Sequence, residues 1–427
     1  MSRKSVLPVV FLSLLVGYLL GGRTAETVSA ITRETYDNVE LFANVLTIVR
    51  QNYVDEVSTH DLIEGAINGM LSSLDPHSAY LTPDFYRELQ VDTRGQFGGL
   101  GIEITIRNGV LTIVAPIEDT PAYRAGLQAG DQIIKIEDDF TKDMTLIEAV
   151  RRMRGPKGTK ITITIRREGV PELFDVTLVR EIIKIRSVKS RLLEKGYGYL
   201  RVVQFQERTA DDLRKALEKL EKENGGPLDG LVLDLRNNPG GLLSQAVQVA
   251  DVFLDTGLIV YTEGRHENQK NKYFAHKAES YVDTPMVVLV NGGSASASEI
   301  VAGALQDHKR ALVLGTPTFG KGSVQTILPL DDQSAIRLTT ARYYTPNGRS
   351  IQATGITPDI YMENVVVTAQ GRPESPMVRE ENLPGHFEQE EGEEAFSPEE
   401  GEKNDAQLQR ALELLKSWNV FKSVAAS

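Results

Sequence analysis

The sequence predicts an α/β multidomain chain: a helical N-terminal region, a compact β-rich α+β module, and a larger αβ core on a mostly parallel sheet. Three observations carry this prediction. Apolar residues recur at helical spacing early in the chain, as in Val39, Phe42, Val45, Leu46 and Val49. Between residues 97 and 180, short β-branched runs are separated by turn signals such as Arg107-Asn108-Gly109. From residue 198 strands and helices alternate, and repeated βαβ units imply a parallel sheet with helices on its faces.

The 427 residues suffice for two or three domains, and 41% hydrophobic with 25% charged residues is ordinary globular composition. A net charge of −12 argues against nucleic acid as a partner. No cysteine is present, which excludes disulfides, thiolate catalysis and Cys-ligated zinc. The six histidines are scattered without H-E-x-x-H, so a metalloprotease has no support.

Residues 1–30 read as a targeting segment. Arg3 and Lys4 precede an apolar run over residues 6–20, the pattern of an export signal. The V-S-A at residues 28–30 has the form of a cleavage site, and a cleaved signal and a retained anchor fit equally well. Either way the basic residues stay inside and the remainder is exported to the periplasm or cell envelope. Residues 31–91 form the helical region, with helices over 32–53 and 61–74 and a stop at Asp75-Pro76. A gap in apolar periodicity at residues 92–96 marks a domain boundary, so the β-rich module spans 92–182. Its expected strands are 101–106, 110–115, 132–136 and 160–166, with helices at 122–127 and 146–153. The core, 183–365, carries strands at 198–205, 230–235, 286–290 and 311–315 and helices at 210–223, 242–253 and 296–308. Residues 366–404 are acidic, rich in Pro and Gly, and expected to be disordered. In 405–427, Leu408, Leu412, Leu415 and Trp418 predict a short docking helix.

Three core loops carry the candidate chemistry, each following a strand, and functional groups of an open parallel sheet collect beyond such strand ends. The first runs from Leu235 through Arg236, Asn237, Asn238 and Pro239 to Gly240 and Gly241, where backbone N–H groups can face a ligand. The second holds Ser294, Ser296 and Ser298 among small residues and leads into a helix, whose free N–H groups favour a developing oxyanion. The third presents Lys321 between Gly320 and Gly322. A serine nucleophile needs a base, these loops contain no histidine, and Lys321 is their only plausible one if burial leaves it neutral. Gln325 can orient the amine. The same serines also suit N-caps of an ordinary helix, and Lys321 a solvated surface residue or a phosphate contact. In the β-rich module, Gly98-Gly99-Leu100-Gly101-Ile102 is either an ordinary glycine-rich hairpin entry or a nest that captures a peptide carboxylate while the peptide adds as a strand.

With these motifs in view, the chain resembles the carboxyl-terminal processing peptidases, or tail-specific proteases, from about residue 35 to 360. The resemblance rests on Leu74 to Ser78, Gly98 to Ile102, Gly126 to Ile134, Asp234 to Gly241, Gly293 to Ile300, Thr318 to Gln325, Tyr343 to Ser350 and Gly355 to Ile360. It implies that the β-rich module is a PDZ domain and the core a crotonase-like protease. It implies Ser296 as nucleophile, Lys321 as base, Gln325 as the residue assisting the lysine, and Gly241 and Ala297 as backbone oxyanion donors. Gly99, Leu100, Gly101 and Ile102 would bind the peptide, and Arg154 stands where a gating arginine would fall. No cofactor and no metal is implied. The partners expected are protein substrates with free apolar C-termini, a second copy through the terminal helices, and an adaptor protein. Two readings compete: an inactive PDZ scaffold of the cell envelope, which the intact Ser296, Lys321 and Gly241 oppose, and an enzyme of small acyl substrates, which a peptide-binding module opposes.

Overall fold

The computed structural model describes residues 33–107, 109–117, 119–142, 144–277, 281–363 and 405–425. Residues 1–30, expected to be a leader or anchor, and residues 366–404, expected to be disordered, lie outside them. The chain divides into two units, residues 1–70 and 71–427. The first contains the helix Arg33–Asn52 and most of the helix Thr59–Ser72. No helix among the described residues is long and apolar enough to cross a membrane.

In the second unit the Asp75 carboxylate closes a turn by accepting from His77 N at 2.8 Å and Ser78 N at 2.9 Å. The helix Pro83–Arg94 follows, an element the sequence reading did not expect, and it ends inside the apolar gap at 92–96. Thr82 caps it, Pro83 starts it, and Gly95 ends it at φ 65°, a left-handed C-cap that glycine adopts without penalty.

The β-rich module is a sheet ordered Ile102–Arg107, Val110–Pro116, Gln132–Ile136, Lys160–Arg166, Phe174–Val179, with Asp139–Phe140 beside the third strand. Ile113, Ile133, Ile161, Ile163 and Ile165 are buried in its core with Ala149 and Met153 of the helix Leu146–Met153. The helix expected at 122–127 is a single turn, Pro121–Arg124, because Gly126 adopts φ 74°. The strand Ile102–Arg107 pairs on one side only and is an edge. A ribbon of Gln96–Gly99 against Glu181–Lys184 lies at the two ends of the module.

The core sheet is ordered Val188–Glu194, Tyr197–Val202, Gly230–Asp234, Met286–Val290, Leu312–Gly315, Ile360–Tyr361, parallel apart from the first strand. Gly230–Asp234 and Met286–Val290 are buried throughout, which is why they read as unbroken apolar runs rather than alternating ones. Helices Thr209–Asn224, Leu243–Phe253 and Ala297–Asp307 cover one face through Leu213, Leu217, Val249, Phe253 and Val301. The C-terminal helix Ala406–Ala425 covers the other, placing Leu408, Ala411 and Leu415 on Tyr199, Val232, Val287, Leu289 and Leu314. Of the expected stripe, Leu408 and Leu415 pack on the sheet, Ala411 takes part in place of Leu412, and Trp418 stays exposed.

A second, antiparallel sheet is not marked by sequence pattern. It contains Ala79–Leu81, Ala335–Tyr344, Leu258–Gly264 and Asn271–Phe274, with Ser323–Pro329 also paired to Ala335–Tyr344. Its strands are half-buried and mix polar with apolar residues, as in Ser323-Val324-Gln325-Thr326, so neither a buried run nor strict alternation shows.

Candidate active site

The three loops at the ends of Gly230–Asp234, Met286–Val290 and Leu312–Gly315 converge on one cavity of about 780 Å³. Gly241, Ser296, Ala297, Lys321 and Gln325 all line it. Its remaining wall comes from the helix Pro83–Arg94, through Tyr86, Leu89, Gln90 and Thr93, and from Ile327 and Arg337.

The first loop is shaped by its own side chains. Asn238 donates to Val202 O at 2.8 Å and accepts from Gly240 N at 2.9 Å. Gly240 has φ 103°, and a Cβ there would lie 2.9 Å from Ser296 Cβ. Gly241 has φ 135°, and its Cβ would lie 2.2 Å from Phe205 O. Both positions need glycine for conformation and for close approach.

Of the three serines in the second loop, only Ser296 is partly exposed. Ser294 and Ser298 are fully buried and donate to Leu235 O at 2.8 Å and Asn238 O at 2.9 Å. Ser296 is strained, with φ 55° and ψ −111°, and it stands at the N-terminus of the helix Ala297–Asp307. The N–H of Ala297 lies in that helix's first turn, where no intrahelical acceptor exists.

The third loop carries Lys321, whose carbonyl accepts from Tyr343 Oη. Gln325 is the third residue of the strand Ser323–Pro329 that follows it, and its amide nitrogen donates to Ser323 Oγ at 2.9 Å and Thr339 Oγ1 at 3.4 Å.

Sequence reasoning assigned no role to Glu299, which joins the second and third loops. Its carboxylate is fully buried. One oxygen accepts from Ser296 N at 2.7 Å and Lys321 N at 2.9 Å. The other accepts from Thr318 Oγ1 at 2.6 Å and Gly320 N at 2.8 Å. Burial pushes its pKa up to about 7 against the opposing pull of these four hydrogen bonds. The visible signal was the S-x-x-E spacing of Ser296 and Glu299, the signature of a capping box. Here the glutamate caps the serine and the lysine loop together.

Gly99, Leu100, Gly101 and Ile102 line a separate small cleft of about 80 Å³ with Val150, Met153 and Arg154, between the edge strand and the helix Leu146–Met153. Gly101 has φ 77° and packs against Thr120. The loop carbonyls are held by Ala122 N on Leu100 O at 3.0 Å and Ile117 N on Gly101 O at 2.8 Å. Arg154 lies 4.4 Å over the Phe97 ring and pairs with Glu88 of the helix Pro83–Arg94.

Residues 196–362 match Peptidase family S41, residues 112–167 match the PDZ domain, and residues 22–84 match the Activating protease CtpB N-terminal domain. A carboxy-terminal-processing protease of Bartonella bacilliformis is 48% identical over 391 residues, covering 90% of this chain and 89% of that protein. A carboxyl-terminal-processing protease of Synechocystis sp. is 38% identical over 381 residues, covering 83% and 87%. Among solved structures, a photosystem II D1 C-terminal processing protease is 32% identical, with a TM-score of 0.44 over 76% of this chain and 92% of that one.

The raised pKa of Glu299 fixes the sign of one pH effect. A carboxyl that titrates near 7 when folded and near 4.5 when unfolded binds its proton more tightly in the native state. The stability it contributes is complete below about 4.5 and is lost as pH rises to about 7. Relative to Glu299→Gln, the wild type should lose roughly 3 kcal/mol between those limits. Urea denaturation of both proteins across this range measures the difference, and parallel curves would contradict the assignment.

Proposed function

Since the chain belongs to the carboxy-terminal-processing proteases of peptidase family S41 and is a serine-type peptidase with a PDZ domain, we propose that it cleaves exported proteins selected by their free C-terminal tails, with Ser296 as nucleophile and Lys321 as general base. The observation that carries this reading is the pairing of the two loops. Ser296 is the one serine of its run on the cavity wall, and Lys321 lines the same cavity from a loop tied to the same carboxylate.

In this mechanism Ser296 Oγ attacks the scissile carbonyl carbon and the neutral Lys321 amine takes its proton. The N–H groups of Gly241 and Ala297 receive the oxyanion of the tetrahedral intermediate. Collapse breaks the peptide C–N bond, the Lys321 ammonium protonates the leaving amine, and an acyl ester remains on Ser296. Water, deprotonated by the neutral lysine, then releases the acid. Gln325, with its nitrogen engaged by Ser323 and Thr339, keeps its oxygen as an acceptor that can assist the lysine. Glu299 acts through the backbone, setting where nucleophile and base stand.

Ser296→Ala should leave a folded protein without turnover, whereas Ser294→Ala and Ser298→Ala should lose about 1 kcal/mol of stability each and keep most activity. Lys321→Arg should be as inactive as Lys321→Ala, because a guanidinium stays protonated at any working pH and cannot accept the serine proton. Peptide hydrolysis by purified variants decides this, and an active arginine variant defeats the mechanism.

The tail-binding half of the proposal rests on the edge strand Ile102–Arg107 and the loop before it. A peptide can pair with the free edge while its terminal carboxylate meets the N–H groups of residues 99–102. One substrate with a free and with an amidated C-terminus tests it. Amidation should raise KM by about tenfold or more, the loss of one charge-assisted contact, and equal KM values would refute tail selection.

Residues 1–30 supply the proposal that the chain works outside the cytoplasm, either released or held by a single anchor. Fractionation of expressing cells should place the full chain in the envelope or periplasm. Removal of residues 1–30 should retain it in the cytoplasm.

A further inference from the structure

The C-terminal helix does more than cover a sheet face. Its first turn reaches the base of the loop that carries Gly241. Arg236 opens that loop, and its guanidinium uses all five N–H donors. Nε and one terminal nitrogen bond both Asp234 oxygens, at 3.0 and 2.7 Å. The terminal nitrogens bond both Asp405 oxygens, at 2.9 and 2.6 Å, and one also bonds Gln407 Oε1 at 2.9 Å. The site is largely shielded from solvent: Asp234 is fully buried, Gln407 is 1% exposed, Arg236 8%, and the Asp405 side chain 13%. Asp405 also accepts from Leu408 N at 3.0 Å, so the group that grips the arginine caps the helix as well. Gln407 donates to Met362 O at 2.6 Å, beyond the last strand.

From Arg236 the backbone is pinned at each step toward the cavity. Asn237 N donates to Asn291 Oδ1 at 2.9 Å, and Asn291 Nδ2 returns a bond to Asn237 Oδ1 at 2.7 Å. Asn238 O then accepts from Ala295 N at 3.0 Å and Ser298 Oγ at 2.9 Å. The anchored arginine is thereby the fixed end of a short rigid segment whose other end is Gly241.

We propose that Asp405 is a positioning residue of the active site, holding Arg236, and through it the backbone of residues 237–241, in the geometry that catalysis requires. This rests on the Ser296–Lys321 reading given above. A bidentate carboxylate–guanidinium pair fixes orientation as well as distance, and a displacement of an ångström at an oxyanion donor is enough to slow the chemistry without weakening substrate binding. Asp405→Asn is the informative change. It leaves Arg236 neutralised by Asp234 and the helix cap in place, yet turns one acceptor into a donor facing a guanidinium N–H.

The test uses the full chain and a peptide substrate with a free C-terminus. Asp405→Asn should lower kcat by about tenfold or more, as expected for a misplaced reacting geometry, while KM stays within about twofold. Titration with a serine-reactive phosphonate counts competent sites, so that a loss of folded molecules is separated from a slower site. Lys416→Ala, which removes the exposed pair with Glu194 elsewhere on the same helix, should leave kcat unchanged. An unchanged kcat in Asp405→Asn overturns the proposal. So does a loss fully explained by fewer competent sites, or an equal loss in Lys416→Ala. A wild-type chain that hydrolyses no peptide overturns the Ser296–Lys321 reading and this one with it, whereas an active wild type beside an unaffected Asp405→Asn overturns the clamp alone.

Discussion

A single buried carboxylate holds the centre of this molecule together. Glu299 takes four hydrogen bonds, one from the serine loop and three from the lysine loop, and sequence separates the two loops by about twenty residues. Neither loop has the regular structure to place itself. One begins a helix with its first residue in a strained conformation, and the other is a turn rich in glycine. An isolated charge in so dry a place would cost several kcal/mol or be neutralised. Four donors offset part of that cost, leaving the carboxyl to titrate near 7, and in return its two oxygens fix both backbones. Removing the carboxylate would leave buried N–H groups without acceptors on both loops at once.

The surrounding architecture supplies the frame for that junction. Parallel strands buried on both faces deliver all three loops to the same edge, so the distances among them are set by strand spacing. Glycines at 240 and 241 then allow the first loop to approach the serine more closely than any side chain would permit. The helix Pro83–Arg94 contributes to two places: one part of it lines the cavity, and Glu88 pairs with Arg154 at the small cleft of the PDZ domain. One short helix thus borders the cavity and reaches a residue that lines the small cleft of the PDZ domain.

Much of this was legible in the sequence. The strands Gln132–Ile136, Lys160–Arg166 and Met286–Val290 and the helix Leu146–Met153 stand where their patterns place them, because each is either a β-branched run between turns or an amphipathic stretch with a cap. The three loops were visible because small residues and glycines interrupt apolar strands abruptly. What was not legible depended on partners distant in sequence. The half-buried antiparallel sheet has no periodicity of its own. Glu299 looked like part of a helix start, since its second set of donors lies about twenty residues on. Asp405 carried no mark at all, because what gives it meaning is an arginine 169 residues earlier.

That separation has a consequence for how the molecule comes into being. A chain made from its N-terminus exposes Tyr199, Val232, Val287, Leu289 and Leu314 on one sheet face until Leu408, Ala411 and Leu415 exist to cover them. Closing so long a loop is entropically costly and slow relative to local contacts. The nascent chain therefore holds Ser296, Lys321 and the Glu299 carboxylate that joins their loops before it holds the helix that seats Arg236. Docking of that helix closes the longest loop of the core, and until it docks, chains with a bare apolar face need protection from one another.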